Sequence, residues 1–481
     1  MRSSFVLIVL AAAALHTAAS AQQQLPALRQ LPVQAHPDVG ALACAQLAPA
    51  PRPASAPNPD PMEVPSDETV RSMTPAPQPG ADAPEAPLPL PLARPAPGPG
   101  PYRIAIWGDS HLAANFFAEE LQKLLKVPAG AASHALVPAN MGRAGVRLPI
   151  LRACVSPHWK YEPNYVGGDG AAAPGPGLVN MVSDQPGATL AWDLRKHAQA
   201  PGYERVRILY QQTEKPVVVA IGVDGGDEQE VTLAGQAGPA ALELVADRPM
   251  VQVRLRLVDA PLRFHGLELL PAQPAAFGMD VFGYPGATVA GWKAADPGYL
   301  GAWFAPDQYQ LVVLEFGTNE GNVKPFDLAA YRKTLDESVR SMKTMFPAAA
   351  CILVAPGDRG VLVPRSANIR KKAGRKARET QGAHAKSRRK AKAAEPIDLL
   401  RYSRIHADIA RVQAEVAREA GCSAWSMLDA MGGPGSAYAW ARQSPPLMAK
   451  DLIHFTVAGY QRLAQQFFKD MGWAALPAPG Q

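Results

Sequence analysis

The chain has 481 residues, 47% of them hydrophobic and 7% aromatic, with 49 Pro and 40 Gly. That much apolar material excludes a wholly disordered protein and suffices for one or two packed domains. A net charge of +6 ordinarily points to nucleic acid or an acidic surface. Here residues 365–395 hold twelve Lys/Arg against Glu379 and Glu395, a local +10 that leaves −4 for everything else. The basicity belongs to one segment, and no nucleic-acid partner is expected.

In chain order, Met1-Arg2, an apolar run over 5–15 and Ala19-Ser20-Ala21 form the charge, h-region and small-residue pattern of a secretory signal. The run is too short to span a bilayer comfortably. Residues 1–21 are therefore expected to be a removed signal peptide, and the protein to be periplasmic or secreted, in a bacterium. Residues 22–101 are Pro/Ala-rich, with 17 of the 49 prolines between 51 and 101, and are predicted to be a disordered linker. Next comes an apolar strand over 102–107, the turn Gly108-Asp109-Ser110-His111, and a helical pattern over 113–125. Strands over 311–316, 351–355 and 423–427 alternate with helices over 327–345, 400–420 and 456–471, which argues for a parallel sheet flanked by helices.

The pattern changes between these units. Strand-like runs at 189–192, 206–210, 217–223, 230–233, 241–245, 250–258 and 262–270 are separated by turns with little helical periodicity, which predicts an all-β sandwich. The fold class is thus α/β over 102–155 and 275–475, with an inserted all-β, jelly-roll-like sandwich over 156–274. The basic run 365–395 is expected to be a disordered loop within the α/β part. Cys44, Cys154, Cys351 and Cys422 are too few for a disulfide scaffold and form no C-x-x-C pair. Cys351 reads as core, Cys44 as free or paired, and their connectivity stays open.

Four segments carry candidate chemistry. Gly108-Asp109-Ser110 sits where a strand ends and a helix begins, which exposes a serine hydroxyl at the carboxyl edge of the sheet. Asp451-Leu-Ile-His454 spaces a carboxylate three residues from an imidazole, within reach to fix its tautomer. Gly317-Thr318-Asn319-Glu320 presents an amide at another strand end. Gly283-Tyr284-Pro285-Gly286 offers a glycine turn with an exposed N–H. Taken singly, these read as an N-cap, a solvated surface pair, an Asx turn and a plain turn. Together they supply nucleophile, base, orienting acid and oxyanion donors.

In this order, "WGDSHLAANFF", "GYPGATV", "LEFGTNEGN" and "DLIHFTVAGY" resemble the four blocks of the SGNH (GDSL-type) hydrolases. The GDSH and G-T-N-E forms, with a β-insertion before the glycine block, are similar to bacterial peptidoglycan O-acetylesterases, in which the insertion resembles a carbohydrate-binding module. The resemblance implies an SGNH-hydrolase-like fold and a serine esterase acting on O-acetylated peptidoglycan. Ser110 would be the nucleophile, His454 the base and Asp451 its orienting acid. Ser110, Gly286 and Asn319 would form the oxyanion hole, with Asp109, His111 and Glu320 in support. It implies no cofactor and no metal, because the oxyanion donors supply the stabilisation. Glu320 stands where many superfamily members have Asp, and the basic insertion departs from the family pattern.

Trp107, Trp192, Trp292, Trp425 and Trp440 read as core more readily than as sugar platforms. Met431-Gly-Gly-Pro-Gly435 lacks the Lys-Ser/Thr of a phosphate cradle. Contact with an anionic wall polymer or membrane surface is the function the basic run would serve. Two other functions fit the same residues: a polysaccharide O-acetyltransferase and a non-catalytic wall-binding protein.

Overall fold

The structure, a computed structural model, describes residues 26–37, 39–44, 62–66, 68, 70, 101–126, 133–168, 172–259, 261–273, 275–305, 308–364 and 397–473. The expected signal peptide and the basic loop lie outside the described residues.

Five strands form a wholly parallel sheet: β1 (Tyr102–Gly108), β2 (Phe277–Gly283), β3 (Leu311–Glu315), β4 (Ala350–Ala355) and β5 (Ser423–Ser426), in the order β2-β1-β3-β4-β5. β1 and β3 are buried along their whole length, as strands covered on both faces must be. Helices α3 (Leu328–Met345) and α4 (Arg401–Ala420) cover one face with Leu335, Val339, Ile409 and Val416. On the other, α2 (Phe116–Leu124) and α5 (Val457–Asp470) pack through Phe117 and Phe467, ring centroids 5.7 Å apart.

The predicted helix over 113–125 is α2, and a separate short helix precedes it. A four-residue α1 (Ser110–Ala113) ends before Asn115, which takes a left-handed φ of 65° and starts α2 on a new axis. Asn tolerates that conformation better than most residues. The edge strand β2 was missed, because its Gly278 and Gly283 obscure the apolar run.

The predicted β-runs are all strands, in a seven-stranded and a five-stranded sheet that are almost entirely antiparallel. Their facing sides share one core: Val206, Ile208, Leu242 and Phe264 from one sheet against Leu190, Trp192, Val219 and Val253 from the other. In Gln252–Leu257 the valine and leucines point inward and the arginines outward, the alternation of a half-buried strand. On its outer side the larger sheet packs Leu136, Leu209 and Ala241 into the cluster of Trp107, Phe282 and Trp292 beneath the parallel sheet. A polar seam accompanies that contact. Arg103 on β1 lies 2.5 Å from Asp280 on β2, whose other oxygen accepts the Leu136 N–H at 2.8 Å.

Two boundaries differ from expectation. Ala135–Pro138 pairs with Leu262–Leu270, and Arg152–Val155 with Thr189–Asp193, so the β-layers begin well before residue 156. The linker assignment also fails in part. Ala27–Pro32 adds as a parallel strand to the edge of Gly238–Met250, Met62–Glu63 pairs with Val363–Pro364, and Cys44 is disulfide-bonded to Cys154. The edge strand Gly238–Met250 supplies the backbone partners that an isolated Pro/Gln-rich segment lacks. Cys351 pairs with Cys422, between β4 and the turn before β5. All five tryptophans considered above are buried.

Candidate active site

Strand register brings the motifs together. Gly108 at the end of β1 is flanked by Gly283 on β2 and Glu315 on β3, so three strands stop at one level. A Cβ on Gly108 would lie 2.5 Å from Glu315 Oε2 and 2.6 Å from the Glu315 carbonyl, so only glycine fits there. Asp109 then caps α1, its Oδ1 accepting the His111 N–H at 2.9 Å. Ser110 is the first helical residue, and its N–H has no intrahelical acceptor.

His454 arrives from the loop before α5. Its Nε2 lies 2.9 Å from Ser110 Oγ and its Nδ1 2.7 Å from Asp451 Oδ2. A carboxylate only accepts, so Nδ1 carries the proton and Nε2 presents its lone pair to the serine. Asp451 Oδ1 accepts the backbone N–H groups of Ile453 and His454, both at 3.0 Å. Burial opposes ionisation of Asp451, but its bonds to the His454 side chain and these N–H groups outweigh it and hold the carboxyl below its ordinary value. The loop is held by Leu452, fully buried at a left-handed φ of 56°, whose carbonyl accepts the Gly360 N–H at 2.9 Å. Behind it, Thr456 caps α5 through the Gly459 N–H.

The glycine block forms a turn in which the Ala287 N–H donates to the Tyr284 carbonyl at 3.1 Å, with Pro285 and Gly286 (φ 85°) in the middle. This is the type II signature, and it leaves the Gly286 N–H outside the turn's own bond. The Tyr284 N–H ties the turn to the Gly108 carbonyl at 3.2 Å. Asn319 Nδ2 donates to the Ala287 carbonyl at 2.8 Å, which fixes the amide against the same turn and leaves its second N–H free to donate elsewhere. Glu320 joins the two blocks, Oε1 accepting from Val289 N at 2.8 Å and Oε2 from Gly317 N at 3.0 Å. Burial pushes its carboxyl up to about 7 despite those bonds.

His111 does not join the triad. It is buried behind it, its ring 5.6 Å from that of His454 and 5.1 Å from Phe455, with Nδ1 3.3 Å from the Tyr460 hydroxyl. Burial, and then the neighbouring His454, push it down to about 3, so it stays neutral and acts as packing. Asp109 is fully buried, and desolvation raises it to about 6.

Sequence reasoning missed Glu315. Its Oε2 accepts the Asp109 N–H at 3.1 Å directly beneath the nucleophile, and burial followed by Asp109's charge raises its carboxyl well above the ordinary value. The signal was present: a lone acid closing the otherwise apolar strand LVVLE. Arg359 was also missed. Its guanidinium stacks 4.0 Å above the Tyr402 ring and bonds to Asn322.

No family model and no curated protein matches the sequence. Solved structures do. A peptidoglycan O-acetylesterase captured in action superposes with a TM-score of 0.54 at 20% identity, over 79% of this chain and 93% of its own. The two chains share a fold. Family two carbohydrate esterases from Cellvibrio japonicus (TM-score 0.23, 12% identity, 67% of this chain and 98% of theirs) and from Clostridium thermocellum in complex with cellohexaose (0.24, 11%, 61% and 95%) are more distantly similar.

Proposed function

We propose that the protein is a serine esterase that removes O-acetyl groups from cell-wall carbohydrate, with O-acetylated peptidoglycan as its substrate. The observation that carries this reading is the Ser110–His454–Asp451 chain, bonded at 2.9 and 2.7 Å at the carboxyl edge of the parallel sheet. Ser110 Oγ attacks the ester carbonyl while His454 Nε2 takes its proton. The tetrahedral oxyanion accepts from the Ser110 and Gly286 N–H groups and the Asn319 amide. Collapse breaks the C–O bond to the sugar, His454 returns the proton to the departing hydroxyl, and an acetyl-serine remains. Water, deprotonated by His454, then attacks the acetyl carbonyl and releases acetate with Ser110 restored. Asp451 keeps Nδ1 protonated throughout and stabilises the imidazolium.

The substrate assignment draws on the block order and on the fold shared with a peptidoglycan O-acetylesterase. The jelly-roll-like β-layers would act as a carbohydrate-binding module. Two disulfides favour an oxidising compartment, which accords with action in the periplasm or outside the cell. Purified protein is expected to release acetate from O-acetylated sacculi. Ser110→Ala should reduce the rate by at least about 10³-fold with the fold retained. Acetate release at the wild-type rate by that variant would overturn the reading, and net acetylation of an added sugar acceptor would make the protein a transferase.

A further inference from the structure

A groove of about 610 Å³ lies beside the triad without including it. Its walls are α2, the segment 142–153 and the loop at Lys196, and its floor is Phe277–Val281 of β2, the edge strand of the parallel sheet. The segment 142–153 also forms the rim of the site. The Arg147 N–H donates to the Ala113 carbonyl at 2.8 Å, one turn beyond Ser110, and Arg143 Nη2 reaches the Pro285 carbonyl, next to Gly286, at 3.4 Å. One segment therefore both walls the groove and bonds to the residues beside Ser110 and Gly286.

The groove is cationic in a protein whose charge outside the basic run is negative. Lys126, Arg143, Arg147, Arg152 and Lys196 all line it. Against them stand Glu119, held by Arg147 at 2.9 Å, and Asp280, buried and paired with Arg103. Among the described residues Lys126 and Arg152 have no acidic partner, and Lys196 reaches only the Gln122 amide oxygen, at 3.4 Å. Leu148, Pro149 and the exposed Leu151 place apolar surface between these cations. Cations separated by aliphatic surface fit a ligand that carries carboxylates on a partly apolar chain, whereas a neutral sugar would leave them unpaired.

We propose that this groove binds the carboxylate-bearing part of the glycan substrate, next to the sugar whose ester is cleaved. The role assigned to the groove rests on the esterase reading, but the binding itself does not. The carboxylates have two sources, a peptide attached to the glycan or an acidic sugar within it.

The test uses the full-length Ser110→Ala protein, so that binding is read without turnover. Calorimetric titrations would compare a disaccharide-tetrapeptide fragment of peptidoglycan, a galacturonate oligomer and a neutral N-acetylglucosamine oligomer. A carboxylated probe is expected to bind more tightly than the neutral one. Arg152→Ala combined with Lys196→Ala, both exposed side chains, should weaken it about tenfold or more. Arg404→Ala combined with Arg411→Ala, both exposed on α4, is the charge-matched control and should leave binding unchanged. Preference for the peptide fragment assigns the peptide as source, and preference for the galacturonate oligomer assigns the acidic sugar. Equal binding of the neutral oligomer, or no weakening in the double variant, overturns the proposal. Acetate release by the wild-type protein is measured separately. Its absence alongside intact carboxylate binding would defeat the esterase reading and leave the groove standing.

Discussion

Asp451 shows how a half-exposed side chain is made to do a specific job. One oxygen is taken up by two backbone N–H groups of its own turn and the other faces His454 Nδ1, so the carboxylate has a single orientation. Asp451→Asn keeps the shape but offers an N–H where an acceptor is required, which favours the tautomer with Nε2 protonated and unable to take the serine proton. The expected result is a fall in kcat of about 10⁴-fold on a soluble aryl acetate, with circular dichroism unchanged. Because Asp451 sits below its ordinary carboxylate value, it remains ionised well into the acid range, and loss of activity at low pH should not track its protonation until that range is passed. A variant retaining more than a tenth of wild-type kcat would show that Asp451 does not set the tautomer. The same reasoning at Gly108 is steric. The glycine is required because Glu315 occupies the space a methyl group would need.

At the scale of elements, the parallel strands other than β2 and their helices were legible because each buries both faces or one stripe, which sets a plain hydrophobic period. The catalytic blocks were legible because each closes such an element, and local geometry at a strand end is dictated by few residues. What escaped was decided by partners distant in sequence. Ala27–Pro32 is mostly exposed and has no amphipathic pattern of its own, and it becomes a strand only against the edge of Gly238–Met250. Lys160–Glu162 is a further short strand fixed by a neighbour, Asn180–Ser183. The N-terminal strand is secured by the Cys44–Cys154 bond, which spans 110 residues of sequence. Removing it with Cys44→Ser and Cys154→Ser together is expected to cost about 2–5 kcal/mol of stability, read from the denaturant midpoint of the oxidised protein. Aryl-acetate turnover at temperatures where the variant stays folded should be unaffected, since neither cysteine belongs to the triad or to its oxyanion donors. An unchanged midpoint would mean that the N-terminal strand is held by its ladder alone.

Across the whole molecule, buried titrating groups of opposite kind set how stability depends on pH. Burial pushes His111 and His265 down to about 3 and His406 to about 4, from an unfolded value of 6.5. Their depressed values mean that the unfolded chain takes up protons first as pH drops below about 6.5, which favours unfolding. Burial also raises Asp109 to about 6, Glu320 to about 7 and Glu315 well above 4.5. These acids hold protons in the folded state that the unfolded chain has already released, so their contribution is full below about pH 4 and is lost as pH rises through the folded values. Between about pH 4.5 and 6 these three histidines favour proton uptake by the unfolded state, while the three acids, together with Asp358, which burial also raises, favour it by the folded state, so the slopes oppose each other and stability should change little. Above about 6.5 the histidines are neutral in both states and only the acids remain. Stability should then fall by about 1.4 kcal/mol per pH unit for each extra proton the folded state holds. Glu320→Gln provides the check. It loses one of the two acceptors that serve Val289 and Gly317, so its stability is lower throughout, but its decline between pH 6.5 and 8 should be shallower than that of the wild type. Thermal unfolding measured at half-unit pH intervals reads both quantities, and an equally steep alkaline decline in the variant would remove Glu320 from the account and leave Glu315 as its source.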